Sequence, residues 1–148
     1  MADAAARLVL DGGAEAATIS GITAAVGVSP RTFHNYFSSV ADALLYFTAD
    51  VLESFAADIP SVCPGKSVTA VLEAALLESL EDEEKELRSL HTLYRIGEAL
   101  DNLSHTSEER RRFERVSDTI ISAFQQQGTD YTDYELGVVL SACAVGSI

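Results

Sequence analysis

The sequence predicts an all-α protein in which a three-helix, helix-turn-helix head precedes a helical bundle. Two observations carry this prediction. Apolar residues make up 47% of the 148 residues and only three residues are proline, while the apolar positions recur at intervals of three and four along most of the chain. Between residues 18 and 45, signals for helix starts and helix ends follow one another in the order of a helix-turn-helix.

The first helix is predicted at residues 2–11. Its start is acidic at Asp3, and Gly12-Gly13 ends it because glycine readily leaves the helical conformation. The apolar positions of this helix are Ala5, Leu8, Val9 and Leu10.

Each joint of the helix-turn-helix has a local signal. Thr18 is placed to cap the second helix with its hydroxyl, and Gly27 follows that helix where a left-handed residue is usual. Ser29 caps the third helix, and Pro30 occupies its first position, where a missing N–H costs nothing. The apolar positions of the second helix are Ile22, Ala25 and Val26, and Val28 closes the turn.

The third helix has an apolar side and a polar side. Phe33 and Phe37 lie four residues apart, so we expect both rings in the core. Arg31, Thr32 and Asn35 point the other way, toward the position of a DNA major groove. There Arg31 can bind guanine or phosphate, Asn35 can pair with adenine, and Thr32 can contact a thymine methyl group or a phosphate.

The rest of the chain reads as further helices. A capping box at Ser39-Val40-Ala41-Asp42 starts a helix of about 20 residues that ends before Pro60. Other helices are expected near residues 67–81, 87–100, 105–127 and 132–148, and the acidic run 81–86 is predicted to be a solvated turn and helix start. We therefore divide the chain into residues 1–46, the head, and 47–148, the body. The last helix has no stop signal, so we expect the C-terminus to be incomplete.

Charge is the main objection to a nucleic-acid function. The net charge is −13, whereas DNA-binding domains are usually basic. By segment, residues 1–50 hold two basic and five acidic residues (−3), and residues 51–148 hold eight basic and eighteen acidic residues (−10). The acidity thus lies mostly in the body, but the head is also poor in positive charge.

Several classes of function find no support in the sequence. Cys63, Cys143 and the three histidines lack metal-ligand spacing, and no nucleophile has a nearby base, so we expect no metal, no cofactor and no enzyme activity. The sequence has no signal peptide and no apolar run of the roughly 20 residues that span a membrane. We expect a reduced cytoplasmic protein.

The head resembles the TetR family of transcriptional regulators over about residues 4–47. The resemblance rests on the order and spacing of Ile22, Val26-Gly27-Val28-Ser29, Thr32-Phe33, Tyr36-Phe37, Ser39 and Ala43-Leu44. It implies binding to a double-stranded DNA operator, with a DNA-contact set of Thr18, Ser29, Arg31, Thr32, His34, Asn35 and Tyr36. Tyr36 is expected to donate to a backbone phosphate.

Three positions depart from that family's pattern. Thr23 stands where a small alanine is usual between two close helices, and His34 where a phosphate-binding tyrosine is common. Val40 replaces a lysine that often contacts phosphate, which removes one phosphate contact. In the family a longer first helix normally opens with a basic arm, whereas this sequence begins almost at the apolar positions of the first helix.

The resemblance further implies a homodimer whose body encloses a small apolar effector. The apolar surplus of residues 44–124 fits such a pocket, with a predicted ligand set of Phe55, Leu76, Leu80, His91, Tyr94, Phe113, Ser117 and Ile120. We expect a repressor that the effector releases from its operator, and a dimer formed through helices 105–127 and 132–148. The alternative is a helical dimeric small-molecule-binding protein that has lost DNA binding, which the acidic head and Val40 favour.

Overall fold

The fold class predicted from the sequence is confirmed. The computed structural model describes residues 1–62 and 83–103 without gaps, together with the isolated residues 70, 73, 74, 77, 106, 107, 111, 115, 118, 121, 122, 125 and 132. All regular elements within residues 1–62 and 83–103 are helices. They are α1 (Ala2–Gly12), a 3₁₀ turn (Ala14–Ala16), α2 (Ile19–Val26), α3 (Pro30–Tyr36), α4 (Val40–Val62), α5 (Glu83–Leu87) and α6 (Leu90–Asn102).

Helix α1 ends at the predicted glycine pair. Gly13 has φ 75°, a left-handed conformation that side chains strain, and its N–H donates to the carbonyl of Val9 at 2.7 Å. The chain then forms the 3₁₀ turn, which the sequence did not predict, and buries Ala17 directly after it. This turn carries the chain from α1 to the start of α2.

Helix α4 starts as predicted but ends later. The Ser39 hydroxyl accepts from the Asp42 N–H at 2.9 Å, and the Asp42 carboxylate accepts from the Ser38 N–H at 2.9 Å. The predicted end before Pro60 is wrong, because the helix continues to Val62. A proline removes a single backbone donor, and so close to its end the helix loses little by that.

The predicted apolar stripe over 87–100 is divided between two helices. Helix α5 ends at Leu87 and α6 begins at Leu90, so the prediction of one continuous helix there is wrong. The buried Ser89 is the reason: its hydroxyl accepts from the Thr92 N–H at 3.1 Å and caps α6. The buried Thr92 hydroxyl donates to the Glu86 carbonyl at 2.7 Å and ties the two helices together.

One apolar core joins the head to the described part of the body. Helix α1 lies against both α4 and α6, and the 3₁₀ turn also contacts α6. The largest fully buried apolar side chains of this core are Val9, Ile22, Phe33, Leu44, Phe47 and Ile96. Helix α6 thus packs on α1 and α4, and α1 in turn contacts α2. No helix among the described residues has the length and apolarity to cross a membrane.

Candidate nucleic-acid interface

The turn between α2 and α3 is built by the residues that predicted it. The Thr18 hydroxyl accepts from the Gly21 N–H at 3.1 Å and caps α2. Gly27 has φ 69°, and the Val28 N–H donates to the Thr23 carbonyl at 3.0 Å, which closes the end of α2. The Ser29 hydroxyl accepts from the Thr32 N–H at 3.1 Å and starts α3.

Thr23 fits the narrow space between the helices. Its side chain is buried at 4% exposure, and its hydroxyl donates to the carbonyl of Ile19 at 2.8 Å and lies 3.2 Å from that of Ser20. The polar group is therefore satisfied within α2 itself. This departure from the family pattern leaves the turn intact.

The buried Phe33 fixes how α3 is rotated. Its side chain is fully buried, and a helix advances about 100° per residue, so Arg31 and Asn35 lie nearly opposite the core. His34 lies on one flank of this exposed arc and Thr32 on the other. Arg31, His34 and Asn35 are exposed, and Tyr36 is 70% exposed. The third helix thus presents its polar side as predicted, with Thr32 partly buried beside it.

Two pairs of side-chain hydroxyl groups lie at the starts of α2 and α3. The hydroxyl oxygens of Thr18 and Ser20 are 3.2 Å apart, and those of Ser29 and Thr32 are 2.9 Å apart. Within each pair one hydroxyl hydrogen makes the internal bond, and the second remains to donate outward, for example to a phosphate oxygen. Ser20 was not among the predicted contact residues.

Three apolar positions differ from the sequence prediction. Phe37 follows the end of α3 in extended backbone and is only partly buried, so its place in the core was overestimated. Its ring makes an edge contact with Tyr46 of α4 at a centroid distance of 5.8 Å. Ala25 is exposed and Val26 is 39% exposed, because the inward side of the short α2 is filled by Ile22 and Thr23.

The acidic residues of the head all lie outside α2 and α3. No acidic residue occurs between Glu15 and Asp42, the segment that contains all of α2 and α3. Asp42 is hydrogen-bonded to Ser38, and Asp50 is paired with Arg88. A count over the first 50 residues hides this separation, whereas a count over residues 16–41 gives +1 from Arg31 alone. The reading surface is cation-poor but not acidic, which weakens the charge objection.

Three of the predicted ligand contacts lie on described residues. Phe55 of α4 is partly buried, as are His91 and Tyr94 of α6. The Nδ1 atom of His91 is buried without a hydrogen-bond partner, the only such side-chain atom among the described residues. The other predicted contacts lie outside the described residues: Leu76, Leu80, Phe113, Ser117 and Ile120.

Tyr94 has its hydroxyl at the surface. It donates to a carboxylate oxygen of Glu98 at 3.2 Å, and the negative charge of Glu98, together with this hydrogen bond, raises the pKa of Tyr94. Glu98 is also 3.9 Å from Arg95. The hydroxyl is thus engaged by its own helix, and a role for Tyr94 in ligand binding stays a prediction.

In the described part of the chain, no three histidine, cysteine, aspartate or glutamate side chains lie close enough together to hold a metal ion.

Comparison with known proteins identifies the same region. Residues 2–45 match the model of a family described as bacterial regulatory proteins, tetR family. No curated protein and no solved structure matches the chain significantly. The matched residues run from the start of α1 into α4 and include the whole reading surface, in agreement with the resemblance drawn from the sequence.

Proposed function

We propose that this chain is a DNA-binding transcriptional regulator, and that it is a repressor released from its operator by a small apolar effector. The match of residues 2–45 to the model of the tetR family of bacterial regulatory proteins supports the DNA-binding part of this proposal. The observation that carries the release mechanism is the shared core. Ile96, Ala99 and Leu100 of α6 are buried in the same cluster as Val9 of α1 and Leu44 of α4. If ligand binding moves α6, helices α1 and α4 of the head therefore have to adjust their positions.

In this proposal, the outward side of α3 reads the operator. Arg31 and Asn35 lie at the middle of the exposed arc and contact base edges, while the flanking side chains and the hydroxyl pairs contact phosphates. A two-fold dimer presents two such helices to a palindromic site. The dimer is proposed to form through residues 105–127 and 132–148, which lie almost entirely outside the described residues.

The corner between α5 and α6 supports a second link between body and head. The hydrogen bonds of Ser89 and Thr92 fix this corner, and Arg88 extends from it to Asp50 of α4. The two side chains form an ion pair at 2.7 Å although they are 38 residues apart in sequence. Because α4 leads directly out of the head, this pair couples the angle of α4 to the position of α6.

A ligand pocket next to α6 is supported by His91. A buried nitrogen without a hydrogen-bond partner costs free energy, and a polar group on an otherwise apolar ligand would remove that cost. The effector would favour one of two arrangements of α6 and α4 and so change the spacing of the two reading helices. Its affinity for the protein must then differ between the DNA-bound and free arrangements.

A combined stability and DNA-binding screen tests this proposal. Small apolar compounds that raise the melting temperature of the full chain are added to its complex with a duplex selected from a random library. A compound that acts as the effector must lower the affinity of the protein for the duplex. If that compound hydrogen-bonds to His91, it must lower the DNA affinity of the His91→Leu variant less than that of wild type. Compounds that stabilise the protein and leave DNA affinity unchanged would contradict release by an effector.

The alternative, a small-molecule binder without DNA binding, rests on the low positive charge of the head. It predicts that the same compounds raise the melting temperature while no duplex is selected at any salt concentration. The absence of acidic residues from α2 and α3 favours the repressor.

A further inference from the structure

The head carries very few lysine or arginine side chains. Within residues 1–62, which the structure describes without a gap, they are Arg7 and Arg31 alone. On α1, Asp3 and Asp11 lie one helical turn on either side of Arg7, so two carboxylates on the same side of the helix offset its charge. Arg31, exposed on α3, is therefore the one fixed positive charge that the exposed sides of α2 and α3 offer to DNA.

The other polar groups of this surface are mostly neutral. Thr18, Ser20 and Ser29 are exposed at the starts of α2 and α3. The hydroxyl oxygens lie in pairs, Thr18 with Ser20 at 3.2 Å and Ser29 with Thr32 at 2.9 Å, and Asn35 adds an exposed amide. A hydroxyl or an amide can donate a hydrogen bond to a phosphate or a base edge without bringing a charge. The surface thus combines several neutral hydrogen-bonding groups with a single arginine.

Charged contacts are the ones that make DNA binding strongly dependent on salt. Each phosphate neutralised by a lysine or arginine releases counterions, and log affinity then falls with log salt concentration with a slope of about 0.9 per contact. The same charged contacts supply essentially all of the affinity for DNA of unrelated sequence. Because neutral hydrogen bonds neutralise no phosphate, a head with one arginine should gain little from non-specific DNA.

We propose that this head recognises its operator mainly through neutral hydrogen bonds and has almost no affinity for DNA of other sequences. The protein then exchanges between its operator and free solution, rather than between its operator and the surrounding DNA. The body does not compensate for the missing charge, because residues 51–148 hold eight basic and eighteen acidic residues. The inference rests on the proposed DNA binding by the head and is independent of the effector.

The size of the salt dependence distinguishes this mode of binding from an ordinary one. A dimer with Arg31 as its only charged contact has a slope of about 1.8, or about 3.6 if both His34 side chains are charged as well. Between about 50 and 200 mM salt, the affinity for the selected duplex should fall by about tenfold in the first case and by about 150-fold in the second. A protein with about six to ten phosphate contacts loses about 10³- to 10⁵-fold over the same range.

Fluorescence anisotropy of the full chain measures both properties with two labelled duplexes of equal length. One is the duplex selected from a random library, and the other is a scrambled version of it. The selected duplex should show the shallow salt dependence. The scrambled duplex should show no binding below about 100 μM protein at physiological salt, whereas non-specific dissociation constants of DNA-binding proteins are typically about 10⁻⁴–10⁻⁶ M.

Two variants that each add one lysine test whether the missing charge is the cause. Ala24 is exposed on α2 one turn after Ser20, and the first helix of a helix-turn-helix crosses the DNA backbone. Ala24→Lys should steepen the slope by about 0.9 per head and give the scrambled duplex measurable affinity. Ser54→Lys is the matched control, because it adds the same charge at an exposed site roughly 21 Å along α4 from Val40. It should behave as wild type, since salt screens charges at that distance.

The outcomes separate this inference from DNA binding itself. If wild type selects no duplex, both fail. A loss of affinity greater than about 150-fold over this salt range, or binding of the scrambled duplex by wild type below about 100 μM, would overturn the inference and leave DNA binding in place. The wild-type slope in Ala24→Lys would also overturn it, because the missing charge would then not limit binding. Melting curves of both variants should coincide with that of wild type, since both sites are exposed.

Discussion

Truncation of Phe33 to alanine should destabilise the head more than any other single change on α3. The side chain is fully buried, and its ring packs against that of Phe37 at a centroid distance of 5.6 Å. Removal of a buried phenylalanine ring costs about 3–5 kcal/mol through lost burial and the cavity that remains. For a chain of this size that corresponds to a fall in melting temperature of roughly 10 °C.

Phe37→Ala is the matched comparison, because it removes the same ring from a partly buried site. We expect about half the loss, since less apolar surface leaves water at this position. Urea unfolding followed by circular dichroism measures both free energies of unfolding. A loss for Phe37→Ala equal to or greater than that for Phe33→Ala would refute the rotation of α3 on which the assignment of the reading surface depends.

Three further predictions concern DNA contacts, coupling and helix stability. Arg31→Ala and Asn35→Ala should each weaken binding to the selected duplex by about 1–3 kcal/mol with unchanged melting curves, and unchanged affinities in a mobility-shift titration would remove them from the interface. Arg88→Ala and Asp50→Ala should each cost up to about 1 kcal/mol of stability, and the double variant should cost no more than either single one; additive losses would show that the ion pair is not formed. Gly97→Ala should stabilise α6 by about 0.5–1 kcal/mol, because outside its own stretch of helix no described atom lies within 4 Å of the added Cβ, and a lower melting temperature would reveal a contact at that site.

The joints of the head were predictable because each depends on a few neighbouring residues. Thr18, Gly27 and Ser29 act within one helical turn of their own positions, so their roles follow from local chemistry. The division of the predicted helix at 87–100 depends instead on the burial of Ser89, and burial is set by packing from other elements. The same limit explains Phe37, whose exposure depends on where α3 ends.

Contacts between distant segments were the least predictable part of the candidate site. Nothing in the local sequence pairs Arg88 with Asp50, because the contact exists only after α6 has packed on the head. The unpartnered nitrogen of His91 is likewise a result of packing. The separation of charge was different, since the acid-free segment 16–41 is visible in the sequence and needed only a narrower window than the first 50 residues.

Hydroxyl-radical footprinting of the full chain on the selected duplex tests the central claim most directly. If two heads with the α3 surface of Arg31 and Asn35 read a palindromic operator, two protected half-sites should appear, with centres one helical turn, about 10 base pairs, or a multiple of it apart. Both should disappear in the Arg31→Ala, Asn35→Ala double variant. A single continuous protection that the double variant retains, or no protection at any salt concentration, would contradict DNA reading by this helix.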